Sequence, residues 1–398
     1  MPLVRSDDEP LVLRLNRDLV RTIKRGHPWV FADALRDLPR ALAGSVAVLL
    51  DARKGQPVAV GYYDPSSPIA FRVCDANGQT KLDDRWAEHR LRDSMSLRRS
   101  LFDDQTTGYR LLNGEGDCLP GLVVDIYGRA AVMKLDGAGP TGFWNSAGLA
   151  EWISRELKLD CVYERRKEKD RGGQVLVGTA PQSPVPFIEN GLNFTADIAH
   201  GQKTGFFLDQ RDNRHIIRRM AMGKAVLNMF AYTGGFSIAA GRGGAAHVTS
   251  VDLAQPATDT ASDHWRLNEL PESRHDAVAA DAFEYLSNAV EIRRRWDIVI
   301  VDPPSFAPNQ ASVPKASAAY QSLIEAGSRV TARGGLLAAA SCSSHIDLPL
   351  FLKLCEEGVS DARRRATVLS IQGQPADHPT PLALPEFRYL KFVLMRLD

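Results

Sequence analysis

Two side chains with reactive chemistry stand at the ends of apolar runs, forty residues apart. Asp302 ends the run Ile298-Val299-Ile300-Val301, and Pro303, Pro304, Ser305 and Phe306 follow it. A run so short, apolar and β-branched reads as a buried parallel strand. Proline cannot continue a ladder, so the chain leaves the sheet there and Asp302 is delivered to the strand's carboxyl edge. In open α/β sheets that edge binds ligands. The rigid Pro303-Pro304 loop aims the Asp302 carboxylate and the Phe306 ring into one cleft, a pairing suited to a flat, polar heterocycle such as a nucleobase. Cys342 follows the apolar run Gly335 to Ala340 and sits between Ser341 and Ser343, at the same predicted edge. A free cysteine is most often a small core residue. A thiol that follows an apolar strand at this edge is also where a nucleophile belongs.

The elements that must position these two residues show a β-α-β rhythm after residue 200. Predicted strands are Ala225 to Phe230, His247 to Asp252, a short turn ending near Asp281, the run into Asp302, and Gly335 to Cys342. Such alternation predicts a doubly wound α/β fold with a parallel sheet. Two late strands, near Ala366 to Ile371 and Tyr389 to Leu397, are expected to close it as an antiparallel pair. The first strand runs into Ala231-Tyr232-Thr233-Gly234-Gly235-Phe236-Ser237 and then a helix. Adjacent glycines at a strand-to-helix turn admit a ligand close to the backbone, but the three-glycine dinucleotide spacing is absent. Asp252, at the end of the second strand, is placed to bind the two hydroxyls of a ribose. Asp281 follows about thirty residues later, where a carboxylate accepts from an adenine amino group. Glycine turn, ribose acid, adenine acid and Asp-Pro-Pro at successive strand ends suit S-adenosylmethionine better than NAD. Upstream, His200 to Arg214 places Phe206 and Phe207 between polar residues, either to cover the adenosine of the cofactor or as a β-hairpin feeding a charged helix.

A thiolate has a specific use beside a methyl donor. Carbon 5 of cytosine is a poor nucleophile. A Cys342 thiolate that attacks carbon 6 makes carbon 5 enamine-like and able to take a methyl group, with Asp302 as the acid near ring nitrogen 3. Methylation of an exocyclic amine needs no cysteine, only acceptors beside Asp302 and an aromatic clamp such as Phe306. Guanine methylation is therefore the alternative within the class, and a non-catalytic binding protein that retains the fold the alternative outside it.

The length of 398 residues predicts two or three domains. No apolar run approaches the roughly 18 residues of a membrane span. The first residues carry acid where a leader would carry base, and the five scattered cysteines predict neither disulfides nor a metal site. These readings predict a cytoplasmic protein with no membrane partner and no metal. A net charge of +1 is no global nucleic-acid signature. Local clusters are Arg90, Arg92, Arg98 and Arg99; Arg211, Arg214, Arg218 and Arg219; and Arg293 to Arg295, each either phosphate-binding or a solvated helix face. Short alternations between residues 11 and 75 predict a small, mostly β domain over 1–76. Within it, Trp29 and Phe31 follow the basic stretch Arg21 to Arg25 and are candidates to stack bases beside phosphate-holding Arg and Lys, with core packing as the alternative. A helix over Lys81 to Phe102 opens a central α+β domain over 77–197, with Arg165 to Gly173 as a charged surface loop and Pro181 to Pro186 as a linker. The third domain covers 198–398.

With these residues assembled, the chain resembles the bacterial 23S rRNA (cytosine-C5) methyltransferase family of the large-subunit methyltransferase I type, over almost its whole length. Arg25-Gly26-His27-Pro28-Trp29-Val30-Phe31 is similar to the start of that family's PUA domain, and Gly116 to Gly121 with Val124-Asp125 to its central domain. His200 to Gly205 with Leu208 to Arg211, Leu227-Asn228 with Tyr232 to Phe236, Ser250-Val251-Asp252, Asp302-Pro303-Pro304 and Ser341-Cys342-Ser343 resemble its signatures, as do Asp377-His378-Pro379, Pro385-Glu386 and Tyr389-Leu390-Lys391 near the end. The resemblance implies a Rossmann-like methyltransferase domain behind a PUA-like domain and the central domain. It implies S-adenosylmethionine as cofactor and RNA, with 23S rRNA foremost, as partner; a homodimer is an open expectation. The implied cofactor residues are Lys203, Gly205, Phe206, Asp209, Gln210 and Arg211; Asn228, Phe230, Tyr232, Thr233, Gly234 and Gly235; and Asp252, Asp281 and Asp302. The implied catalytic residues are Cys342 and Asp302, and the nucleic-acid contacts His27, Trp29, Arg98, Pro303 and Phe306.

Overall fold

The computed structural model describes residues 1–5, 9–166 and 173–398. The segments 6–8 and 167–172 lie outside the described residues, and with them part of the acidic N-terminal stretch and most of the expected charged loop at Arg165 to Gly173. The chain divides into two compact units. The first comprises Met1–Ile188, Thr195–Leu208 and Ala376–Phe387; the second comprises Glu189–Phe194, Asp209–Pro375 and Arg388–Asp398.

The first unit begins with β1 (Leu11–Arg14), α1 (Val20–Lys24), β2 (Trp29–Val30), β3 (Ser45–Leu50), β4 (Pro57–Tyr63) and β5 (Phe71–Asp75). These strands form one sheet in the order β1-β3-β4-β5-β2. β1 and β3 run parallel and the remaining pairs antiparallel. Leu13, Ala47, Leu49, Ala59, Tyr63 and Phe71 are buried in its core, where the alternating pattern sends them. Then come α2 (Asp84–Leu101), β6 (Gly108–Asn113), β7 (Leu122–Tyr127), β8 (Ala130–Leu135), α3 (Ala138–Phe143), α4 (Ser146–Leu157), β9 (Cys161–Arg165) and β10 (Gln174–Gly178). Asp83 starts α2 by accepting from the Trp86 amide at 3.0 Å. Leu91 and Met95 lie on its buried face, four residues apart as the helical period requires. The strands order as β10-β9-β8-β7-β6. β11 (Val185–Glu189) and β12 (Leu192–Ala196) form a two-stranded sheet, so strand structure begins inside the segment expected as a linker.

The second unit alternates as expected: α5 (Arg211–Met220), β13 (Ala225–Met229), α6 (Gly235–Arg242), β14 (His247–Asp252), α7 (Gln255–Leu267), β15 (His275–Ala279), α8 (Ala282–Glu291), β16 (Trp296–Val301), α9 (Val313–Val330), β17 (Thr331–Ser341), α10 (Leu348–Asp361), β18 (Ala366–Gln372) and β19 (Lys391–Leu397). Its seven-stranded sheet has the order β15-β14-β13-β16-β17-β19-β18. The first five strands are parallel, and β19 and β18 add antiparallel. Val226, Leu227, Ile298, Val299, Ile300 and Val301 are almost wholly excluded from solvent. A strand covered on both faces needs such an unbroken apolar run.

Candidate active site

The strand order reverses between β13 and β16, which leaves a crevice at their carboxyl ends. The register pairs Met229 with Val301. Phe230 and Asp302 are therefore the first residues past the ladder on the two sides of that crevice.

On the β13 side the loop is held in an unusual shape. Phe230, Tyr232 and Gly234 have φ of +57°, +48° and +80°. For the two residues with side chains that conformation costs roughly 1–2 kcal/mol each. It is pinned by the Ala231 amide donating to the Val251 carbonyl at 2.9 Å and the Tyr232 amide donating to Asp252 Oδ2 at 2.8 Å. The other Asp252 oxygen accepts from the Ala254 amide at 3.0 Å. A Cβ on Gly234 would stand 2.8 Å from that of Ala261 on α7, so both φ and packing require glycine there. Beneath the loop runs a buried polar chain. Asn228 Nδ2 donates to Ser237 Oγ at 2.9 Å, Ser237 Oγ lies 2.6 Å from Ser250 Oγ, and Ser250 Oγ lies 2.8 Å from His275 Nε2. Asn228 Oδ1 and Thr233 Oγ1 are buried and find no partner among the described residues. An unmatched buried oxygen costs roughly 1–3 kcal/mol, so these two mark where the donors of a ligand would be matched. Asp281 follows β15 and caps α8 by accepting from the Phe283 and Glu284 amides.

On the β16 side, Asp302 is half-buried, and its Oδ2 accepts from Gln210 Nε2 at 2.9 Å. Asn213 Nδ2 donates to Gln210 Oε1 at 2.6 Å and holds that amide. Tyr389 donates its hydroxyl to Asp209 Oδ2 at 2.7 Å. Arg211 is buried, with Nε 3.5 Å from Asp212. One expectation is corrected here. Pro303 is buried and Pro304 exposed, so Pro303 shapes the loop rather than touching RNA. Phe306 is half-buried, and its ring packs 5.0 Å from that of Tyr320, which leaves less of it for a base.

Cys342 follows β17 directly and is partly exposed, whereas Cys74, Cys161 and Cys355 are buried. The Ser343 hydroxyl lies 3.0 Å from Ser305 Oγ and 3.2 Å from the Tyr320 hydroxyl, so it ties the Asp302 loop to the Cys342 loop. β19 pairs Lys391 with Ser341. Lys391 is buried, and its Nζ donates to the carbonyls of Ser343 at 2.6 Å and Tyr389 at 2.7 Å. Burial pushes its ammonium down to about 8, while electrostatic interaction with Cys342 and Asp347 pulls it up. Burial pushes the Tyr320 phenol up. Reasoning from sequence found no basic group for Cys342 and did not single out Tyr320. The available signal was a lone lysine heading the apolar strand Phe392 to Met395.

The other expected residues belong to the first unit. Lys203 Nζ lies 4.4 Å over the Phe207 ring. Gly205 has a φ of +129°. Phe206 is buried, its ring 5.1 Å from that of Phe187. Arg98 is corrected outright. It is 2% exposed, grips Asp117 with two nitrogens at 2.5 and 2.8 Å, and donates to the Asp377 carbonyl at 2.8 Å. It has no face to offer a phosphate. Trp29 is half-buried; its indole donates to Glu115 at 2.8 Å and its ring meets Phe387 edge-on at 5.7 Å. His27 is half-buried beside it, with Nδ1 3.1 Å from the Trp29 carbonyl.

Comparison with known proteins places this geometry. Residues 148–376 match the S-adenosylmethionine-dependent methyltransferase family model, and residues 13–75 match a PUA-like domain. The chain is 38% identical to a ribosomal RNA large subunit methyltransferase of Deinococcus radiodurans, over 98% of each chain. It is 35% identical to ribosomal RNA large subunit methyltransferase I of Alteromonas mediterranea, over 96% of this chain and 97% of the relative. Among solved structures, a protein described as a methyltransferase and complexed with SAH superposes with a TM-score of 0.82 at 26% identity, over 97% of this chain and 100% of the other. The residues present fit S-adenosylmethionine as cofactor. The buried oxygens of Asn228 and Thr233 would accept from a donor-bearing ligand, and Asp252 presents a partly exposed carboxylate held by two amides.

Proposed function

The chain belongs to the S-adenosylmethionine-dependent methyltransferase family, of the large-subunit rRNA methyltransferase I type, and we propose that it forms 5-methylcytosine in 23S rRNA through a covalent Cys342 adduct. The observation that carries this reading is a partly exposed cysteine immediately after β17, one strand from Asp302, with a buried lysine behind it. Guanine methylation has no use for a thiol at that position.

S-adenosylmethionine, when bound, supplies an electrophilic methyl group. In this reading Asn228, Thr233 and Asp252 hold it on the β13 and β14 side of the crevice. The cytosine leaves its stack, because a thiol within a crevice cannot reach a base inside a helix. Cys342 Sγ bonds to carbon 6, and the electron pair of the 5,6 double bond becomes available at carbon 5 for methylation. Asp302 lies near ring nitrogen 3 and stabilises the adduct. Loss of the carbon 5 proton then restores the double bond and expels the thiolate.

Nucleoside mass spectrometry of 23S rRNA treated with S-adenosylmethionine and either wild type or Cys342→Ala tests the reading. The expected result is 5-methylcytosine with wild type and a loss of at least about a hundredfold with the variant. A methylguanine that persists in the variant would replace it with the alternative.

A further inference from the structure

A buried lysine without a carboxylate against its nitrogen is costly unless its charge is used. Lys391 is 4% exposed, and its two hydrogen bonds go to backbone carbonyls, those of Ser343 and Tyr389. The Ser343 bond anchors the nitrogen one residue from Cys342, and the cross-strand pairing of Lys391 with Ser341 brackets the cysteine from the other side. The charged and titratable groups around this point come from four elements. Cys342 follows β17, Asp347 precedes α10, Tyr320 lies on α9 with its hydroxyl 3.2 Å from Ser343 Oγ, and Asp302 follows β16. Cys342 and Asp347 act electrostatically on Lys391, and Cys342 and Asp302 on Tyr320.

We propose that Lys391 is a positioning residue that holds Cys342 as a thiolate before RNA arrives. The thiol proton leaves to solvent, Lys391 keeps its own three protons, and the sulfur anion is balanced by the ammonium that the Ser343 and Tyr389 carbonyls fix in place. Neighbouring Asp302 and Asp347 oppose the thiolate, and the Lys391 ammonium favours it. The two groups titrate as a pair, and the reactive form is the one that holds the thiolate beside the ammonium. The proposal rests on Cys342 being the nucleophile.

The test is the pH dependence of iodoacetamide alkylation at Cys342, read by peptide mass spectrometry on the full chain without RNA or cofactor. Wild type should show a midpoint below the free-thiol value of about 8.5. Lys391→Met should raise the midpoint by about one unit and slow alkylation about tenfold at pH 7. Lys391→Arg, which restores the charge, should bring the midpoint back down. The buried Cys355, 2% exposed, serves as the folding control, because only unfolded protein alkylates there. A wild-type midpoint at or above about 8.5 would overturn the proposal whatever the variants do, as would an unchanged midpoint in a Lys391→Met protein that keeps Cys355 protected. Neither outcome touches the 5-methylcytosine assay, so failure of this proposal is distinguishable from failure of the reaction assignment.

Discussion

Arg98 and Lys391 are both buried cations, and their partners separate them. Arg98 divides its planar fork between the Asp117 carboxylate and the Asp377 and Arg110 carbonyls and is a structural strut. Lys391 has only carbonyls against its nitrogen and lies beside a cysteine. The sequence does not separate these cases, because each is a basic residue in a periodic pattern and the partner, Asp117 or Cys342, is fixed only by packing. Cys342, Asp302 and Asp252 were legible because each ends an apolar run. His275 gives a test of the buried chain beneath the cofactor loop. Burial lowers it from 6.5 to about 4, and its ring stacks on Trp265 at 4.5 Å. The fold holds it neutral while the unfolded chain takes a proton below pH 6.5, so stability is lost as pH falls from 6.5 towards 4. The loss attributable to His275 at pH 5 is about 2 kcal/mol. Urea unfolding at pH 7.5 and pH 5.0 of wild type and His275→Gln measures it: wild type should lose that much more than the variant. Equal losses would show that the histidine is charged in the fold or does not contribute.

At the scale of elements, the strand ends were the readable part. Asp302-Pro303-Pro304 stops β16 where a ladder cannot include proline, and Asp83 starts α2 at its first turn. The start of β17 was not readable. It begins at Thr331, which pairs with Trp296, and the ladder resumes only at Leu336 opposite Ile298, so the Gly334-Gly335 turn, with Gly334 at a φ of +73°, is an irregularity inside the strand rather than its start. The shape of the β13 loop was only half readable. Glycine at 234 was visible, but the left-handed Phe230 and Tyr232 are imposed by Asp252 and Val251 from the neighbouring strand. Gly234→Ala should disturb that loop through both its φ of +80° and the 2.8 Å approach to Ala261, at a cost of about 1–3 kcal/mol. Calorimetry should show S-adenosylhomocysteine binding weakened about tenfold or more. Wild-type affinity in this variant would mean that the loop does not contact the cofactor.

At the scale of the whole molecule, alternation of strands and helices predicts a doubly wound sheet, and the antiparallel β18 and β19 at one edge match the expected closing pair. The order β15-β14-β13-β16-β17-β19-β18 is not written in local sequence. It follows from right-handed crossovers and the covering of both faces by helices. The parallel β13, β14, β16 and β17 share one carboxyl edge, where the 230–234 loop, Asp302 and Cys342 lie, with Lys391 supplied from β19. A covalent bond between this site and cytosine is the central claim. The most direct measurement uses transcripts of 23S rRNA carrying 5-fluorocytidine, because fluorine at carbon 5 cannot leave as a proton does and the adduct cannot resolve. Wild type with S-adenosylmethionine should form a protein–RNA species that survives denaturing electrophoresis and maps to Cys342, and Cys342→Ala should form none. A Cys342→Ala protein that methylates unmodified 23S rRNA at the wild-type rate, with no trapped species in either case, would contradict it.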